Sequence, residues 1–205
     1  MHHSLEHFLD QVARQGSWFG GGSVAALSAA LAAALLEKLL GSASTPLGIR
    51  PERAAGESRG SAAPARRLAR IRRECFALVS RDAEAFARVI AASRSGNRRA
   101  FTRTLKSATE IPCRVFEHAQ AIRVASRVAA GSIKPQFQSD LKGARAMAGA
   151  AAEGARALIE TNLMWLHDHA YTSTIRSRLR AARSTPLRAA SRAQSRDAAY
   201  QRHVR

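Results

Sequence analysis

Asp82 has the type and setting for proton transfer. In LVSRDAEAFARV it follows Val79 by three residues and precedes Phe86 by four, at the edge of an apolar helical stripe. A carboxyl half-sunk against an aromatic ring has its charged form penalised. Its pKa then rises toward the range in which it can give and take protons near neutrality. Spacing alone favours the other reading, a helix surface charge or a carboxylate paired with a neighbouring arginine. A second feature is Gly20-Gly21-Gly22-Ser23, directly before a long alanine- and leucine-rich run. A glycine in a regular element costs roughly 1 kcal/mol relative to alanine, so three together point to a sharp bend or to a close approach. At a helix start, free N–H groups and the positive dipole end receive anionic or carbonyl oxygens. A tight turn folding one helix onto the next explains the same residues.

Asn162 is expected on the apolar face of its helix, where a buried amide must find partners in a heterocyclic ligand or in a neighbouring helix. Ser139-Asp140 reads as a helix N-cap and lies at a glycine-containing connector. His167-Asp168-His169 invites a metal reading, but i and i+2 on a helix point to different faces and no third ligand is evident. No metal site and no cofactor are therefore expected. Cys75 and Cys113 lack CxxC spacing and read as small buried hydrophobes.

The elements that must position these residues are all helical, and no strand pattern or internal repeat is present. Leu5, Phe8, Leu9 and Val12 mark a short helix that Ser4 can cap. A second helix is predicted over 23–40, ended by Gly41, followed by a Pro- and Gly-rich loop over 42–65. A third is predicted over 66–92, with Phe76, Val79, Ala83, Phe86 and Ile90 along its apolar stripe. A fourth spans 98–130, which Pro112 should kink or divide. The fifth runs to about Leu166, with Ala144, Met147, Ala148, Ala151, Ala155, Leu158, Asn162 and Trp165 on one face; the sixth covers 174–182. Residues 1–183 thus read as one helical domain, and 184–205 as a basic tail expected to be disordered.

Composition narrows the classes. The 205 residues are 46% hydrophobic but only 5% aromatic, so the core is expected to be rich in small residues, with helix backbones close together. Alanine-rich faces on the second and fifth helices suggest a homodimer. Net charge is +18, which fits nucleic acid, an anionic membrane or an acidic ligand. Arg94, Arg98, Arg99, Arg103, Arg123 and Arg127 lack the aromatic interleaving of base-stacking proteins, so nucleic acid rests on charge alone. The apolar stretch 24–40 ends at Glu37 and Lys38 and reads as a buried helix rather than a membrane span. No signal-peptide pattern opens the chain, and the cytosol is the expected compartment.

Several blocks occur in a telling order: LEHFLDQVA, GGGSVAALSAALAAAL, DAEAFARV, IPCRVFEHA, a connector ending in SD, and EGARALIETNL. Over roughly residues 4–182 this resembles the cyclodeaminase part of formiminotransferase-cyclodeaminase and the related methenyltetrahydrofolate cyclohydrolases. The resemblance implies a dimeric all-helical fold, folate bound near the glycines, and Asp82 as the catalytic acid/base. It implies a tetrahydrofolate derivative as substrate, with Gly20, Gly21, Gly22, Ser23, Ser139, Asp140 and Asn162 as candidate ligand contacts. Phe19, Ser80 and Leu158 depart from the family pattern. They keep open a second reading, a member that binds folate or a partner without turnover. A basic helical nucleic-acid binder is the third.

Overall fold

The structure is a computed structural model and describes residues 4–43 and 59–184. Residues 44–58 of the expected loop and the expected tail from 185 lie outside the described residues. Six helices carry the fold: α1 (Leu5–Ala13), α2 (Gly21–Ala43), α3 (Arg59–Arg94), α4 (Arg98–Val128), α5 (Gln138–Leu166) and α6 (169–184). Two 3-10 turns, Ala129–Ser132 and Pro135–Phe137, join α4 to α5. Ser4 caps α1 as expected, its hydroxyl accepting from His7 N–H at 3.1 Å. Asn97 does the same for α4, accepting from Ala100 N–H at 3.0 Å.

Several boundaries differ from expectation, among them α6, which runs over 169–184 rather than 174–182. Gly41 does not stop α2, which continues to Ala43; glycine in a helix ends it only where the chain turns into positive φ, and among described glycines only Gly16 and Gly96 do so. The expected loop is helical from Arg59, with Pro64 inside α3. Pro112 is buried within a continuous α4, so it does not divide the helix. Finally, α5 starts at Gln138. Ser139 and Asp140 therefore occupy its first turn rather than capping it, and no side chain caps this helix.

Helices α2 to α5 form the bundle. Pairs such as Glu37–Arg72 with Ser23–Asp82, and Gly21–Leu158 with Leu35–Gly143, run α2 antiparallel to both α3 and α5. Ala25, Ala26, Ala29, Ala30, Ala32 and Ala33 are all buried, which is possible because α3, α4 and α5 all pack against α2. A Cβ on Gly154 would lie 3.6 Å from Ala25 Cβ, the close helix approach that small residues permit. Residues 21–41 have the length and mean hydropathy, 1.7, of a membrane span, yet α3, α4 and α5 all pack against this helix. The alanines of α5 (Ala144, Ala148, Ala151, Ala152, Ala155) also point inward. The small-residue stripes are thus the core of one chain rather than a face left for a second copy. What α2 exposes instead is Val24 and Leu31.

Both cysteines are completely buried, Cys75 on α3 and Cys113 on α4, and burial pushes each thiol up to about 12. Helix α6 docks on α4 through Arg178, whose guanidinium holds Glu117 at 2.5 Å and Glu110 at 2.6 Å. The His167-Asp168-His169 sequence forms the corner before it. His167 takes φ 48°, the left-handed end of α5, and Asp168 accepts from Tyr171 N–H at 2.9 Å and pairs with Lys106 at 2.6 Å. Among the described residues no group of three or more His, Cys, Asp or Glu side chains is arranged to hold a metal ion.

Candidate functional site

The glycine run meets Asp82. Gly20 supplies the first carbonyl of α2, accepting from Val24 N–H at 3.0 Å, and Gly21 and Gly22 open the helix. None of the three has positive φ. The tight-turn explanation therefore fails for them; the chain reverses earlier, at Gly16, with φ 76°. Close approach is the reason that survives, and it applies to one glycine. A Cβ on Gly22 would fall on the Asp82 carboxyl, 2.5 Å from Cγ and 2.6 Å from Oδ2. Gly20 has open space there, and Gly21 meets only Leu158 Cδ1 at 4.0 Å.

Ser23 completes the seat. Its side chain is fully buried, with Oγ 3.0 Å from Asp82 Oδ2 and 2.9 Å from the Val79 carbonyl oxygen. A hydroxyl has one proton, so these contacts describe two states. With Asp82 ionised, Ser23 donates to the carboxylate. With Asp82 protonated, Ser23 can donate to Val79 and accept from the acid. The Ser23 backbone N–H also donates to the carboxyl, which thus sits at the positive end of α2.

The buried line of α3 runs through Leu68, Ile71, Cys75, Leu78, Val79 and Val89. Asp82 lies within that line, not at its edge. Phe76 and Phe86, assigned to the stripe from sequence, are exposed. The aromatic neighbour is therefore not what desolvates the carboxyl; the packed start of α2 is. Burial raises the Asp82 pKa above the usual carboxylate range, and the two hydrogen bonds from Ser23 offset part of that rise. Asp82 makes no ion pair among the described residues, so the alternative of a surface carboxylate bound to arginine is excluded.

The pH dependence follows in sign. The folded carboxyl keeps its proton to higher pH than the unfolded chain's, so stability declines as pH rises from the ordinary value, 3.8, through the raised one. Asp82→Asn lacks this decline. Denaturant melts of both proteins across that window are expected to show the variant gaining on the wild type as pH rises. A difference that stays flat with pH would contradict the desolvated carboxyl.

The other candidates divide. Gly20 and Gly21 are exposed beside the carboxyl's seat. Asn162 is half-buried one turn beyond Leu158, the residue facing Gly21. It is not on the core face, which passes through Ile159, Leu163 and Leu166; Trp165, predicted on that face, is exposed. Ser139 and Asp140 are elsewhere. Asp140 pairs with Lys38 at 3.6 Å, and fifteen helical residues separate Lys38 from Ser23, about 22 Å. Within one chain they do not share a site with Asp82.

Sequence reading passed over Trp18. It stands two residues before Gly20 and meets Phe86 edge-to-face, ring centroids 6.0 Å apart. An aromatic next to a glycine run was the available signal. A groove lined by Arg98, Arg99, Thr102, Arg103 and Lys106 opens on the N-terminal third of α4.

Comparison with known proteins places this arrangement. The crystal structure of formiminotetrahydrofolate cyclodeaminase from Thermotoga maritima has the same fold, with TM-score 0.75, 21% sequence identity, and 95% of each chain covered. No curated protein gives a significant match. The sequence matches the formiminotransferase-cyclodeaminase family over residues 4–181, nearly all of the helical domain. The chain belongs to the formiminotransferase-cyclodeaminase family.

Proposed function

We propose that this protein is a folate one-carbon enzyme, a formiminotetrahydrofolate cyclodeaminase or a methenyltetrahydrofolate cyclohydrolase, with Asp82 as its proton shuttle. One observation carries the reading. A carboxyl with no cation partner among the described residues is held between the buried Ser23 hydroxyl and the Ser23 N–H at the start of α2, its pKa raised by burial. Such a group changes protonation at low cost and is fixed in position while doing so.

In the deaminase direction, N10 attacks the carbon of the formimino group, protonated on its imino nitrogen, and forms the new N10–C bond. Asp82 takes the proton from N10 and delivers it to the former imino nitrogen. The C–N bond then breaks, releasing ammonia and leaving the 5,10-methenyl cation. In the hydrolase direction, water adds to the methenyl carbon and gives a proton to Asp82. That proton passes to N5 as the C–N5 bond breaks; the hydroxyl proton leaves to solvent as the formyl group forms on N10. Gly20, Gly21 and Asn162 border the space such a substrate would occupy. The Arg98–Lys106 groove offers cations to its carboxylate tail.

The test is an absorbance assay of the methenyl chromophore with each substrate in turn. Its appearance from 5-formiminotetrahydrofolate marks deamination, and its loss from methenyltetrahydrofolate marks hydrolysis. Leu158 supports a second reading, binding without turnover, because it places an apolar side chain at the open face of Gly21. Saturable folate binding with neither absorbance change would favour it.

We also propose a homodimer, through α2. Val24 and Leu31 are 43% and 50% exposed on one stripe of this helix, an apolar surface a second chain would cover. Light scattering at micromolar concentration should give about twice the 22.1 kDa of one chain, and Leu31→Asp should shift the protein toward monomer. A monomeric wild type would count against this.

A further inference from the structure

Two aromatic side chains beside the carboxyl are not used by the proton-transfer chemistry. Trp18 and Phe86 are 44% and 47% exposed. They come from different segments and meet edge-to-face at 6.0 Å. Phe86 is one helical turn beyond Asp82 on α3, which puts neighbouring side chains on one face. Trp18 lies just before the glycines that seat the carboxyl. Its segment is anchored on both sides: Gly16 turns the chain, Phe19 N–H donates to Ser17 Oγ at 3.2 Å, and Phe19 packs on the core and edge-on against Phe8 at 5.7 Å. Of two adjacent aromatics, Phe19 turns inward as the anchor, and Trp18 stays half-exposed against Phe86.

We infer that Trp18 and Phe86 form a stacking wall for a planar aromatic ring of the ligand, and so position its reacting carbon over Asp82. The ligand class is a molecule with a flat π-face. Stacking needs only such a face, and both the pterin and the aminobenzoyl portion of a folate present one. The choice of ring rests on the folate reading; the wall itself rests on the geometry.

The experiment uses Trp165→Phe, in which Trp18 is the remaining tryptophan. Its emission is followed during titration with tetrahydrofolate, a free pterin and p-aminobenzoylglutamate, with calorimetry in parallel. Saturable quenching by the full ligand is expected, and the fragment that reproduces it identifies the stacked ring. In the full-length protein, Trp18→Leu and Phe86→Leu should each raise KM about tenfold or more and lower kcat by a smaller factor, since the ring is then held less well over Asp82. Trp18→Phe should restore most of the affinity. Emission unmoved at calorimetric saturation, KM within twofold in the leucine variants, no binding of any of the three ligands, or emission that varies only with protein concentration would each overturn the wall. Full turnover with unaltered KM in the leucine variants removes the wall but leaves the enzyme reading standing. Quenching without any turnover in the wild type removes the reaction and leaves the wall.

Discussion

Asp82→Asn is expected to lower kcat by roughly 10²–10⁴-fold, the usual contribution of a general acid–base group, while folate affinity changes little. The amide keeps the shape of the carboxyl and can still accept from Ser23 through its oxygen, so the seat is preserved. What is lost is the titrating proton. The reason to expect a kcat effect rather than a KM effect is the position of the group. It is half-buried, without a cation partner among the described residues, and held by donors that come from the protein itself. Steady-state absorbance assays separate the two parameters. A variant with near-wild-type turnover would remove Asp82 from the mechanism.

Gly22→Ala should be the most damaging single-methyl change in the described chain. The added carbon would occupy the space of the Asp82 carboxyl, where α2 and α3 meet, so the carboxyl must swing out of its seat or the helices must part. Overpacking of this kind costs about 1–3 kcal/mol, and the contact is severe enough to place it at the upper end. Activity should fall with stability, because the carboxyl must leave its seat. Two comparisons separate collision from a general intolerance of alanine. Gly149→Ala, where a Cβ meets nothing within 4 Å inside α5, should stabilise by about 0.5–1 kcal/mol. In an Asp82→Ala background, most of the Gly22→Ala penalty should vanish, since the colliding group is gone. Denaturant melts of the four proteins give the coupling directly. Equal penalties in both backgrounds would show that the carboxyl is not what requires the glycine.

Local patterning carried much of the fold. Ser4 as a cap, the long apolar α2, and the break near Asn97 are all stated by side-chain chemistry close in sequence. Helix phase was harder to read. Alanine surrounds α5 on several sides and fixes no orientation, so the stripe through Leu158, Asn162 and Trp165 looked as good as the buried one through Ile159, Leu163 and Leu166. On α3 the two phenylalanines drew the stripe toward themselves, though both are exposed. The glycine run showed that something must come close, but not what. For Gly22 the answer is Asp82, on another helix, and no local spacing announces a partner across two helices. Ser139-Asp140 looked like a cap because its residue types suit one, yet the helix begins one residue earlier.

The two buried thiols turn this bundle into its own stopwatch. Cys75 and Cys113 sit on neighbouring helices, fully enclosed and almost entirely protonated at neutral pH. An alkylating reagent reacts with thiolate that it can reach, so neither thiol is expected to label while α3 and α4 stay together. Labelling then reports how often the core opens. If both cysteines modify at one rate, the bundle opens as a unit. If Cys113 leads, α6 has lifted from α4 first, with Arg178 releasing Glu110 and Glu117 while the seat of Asp82 is still intact. Mass spectrometry of the two peptides over time would resolve the order in which this protein comes apart.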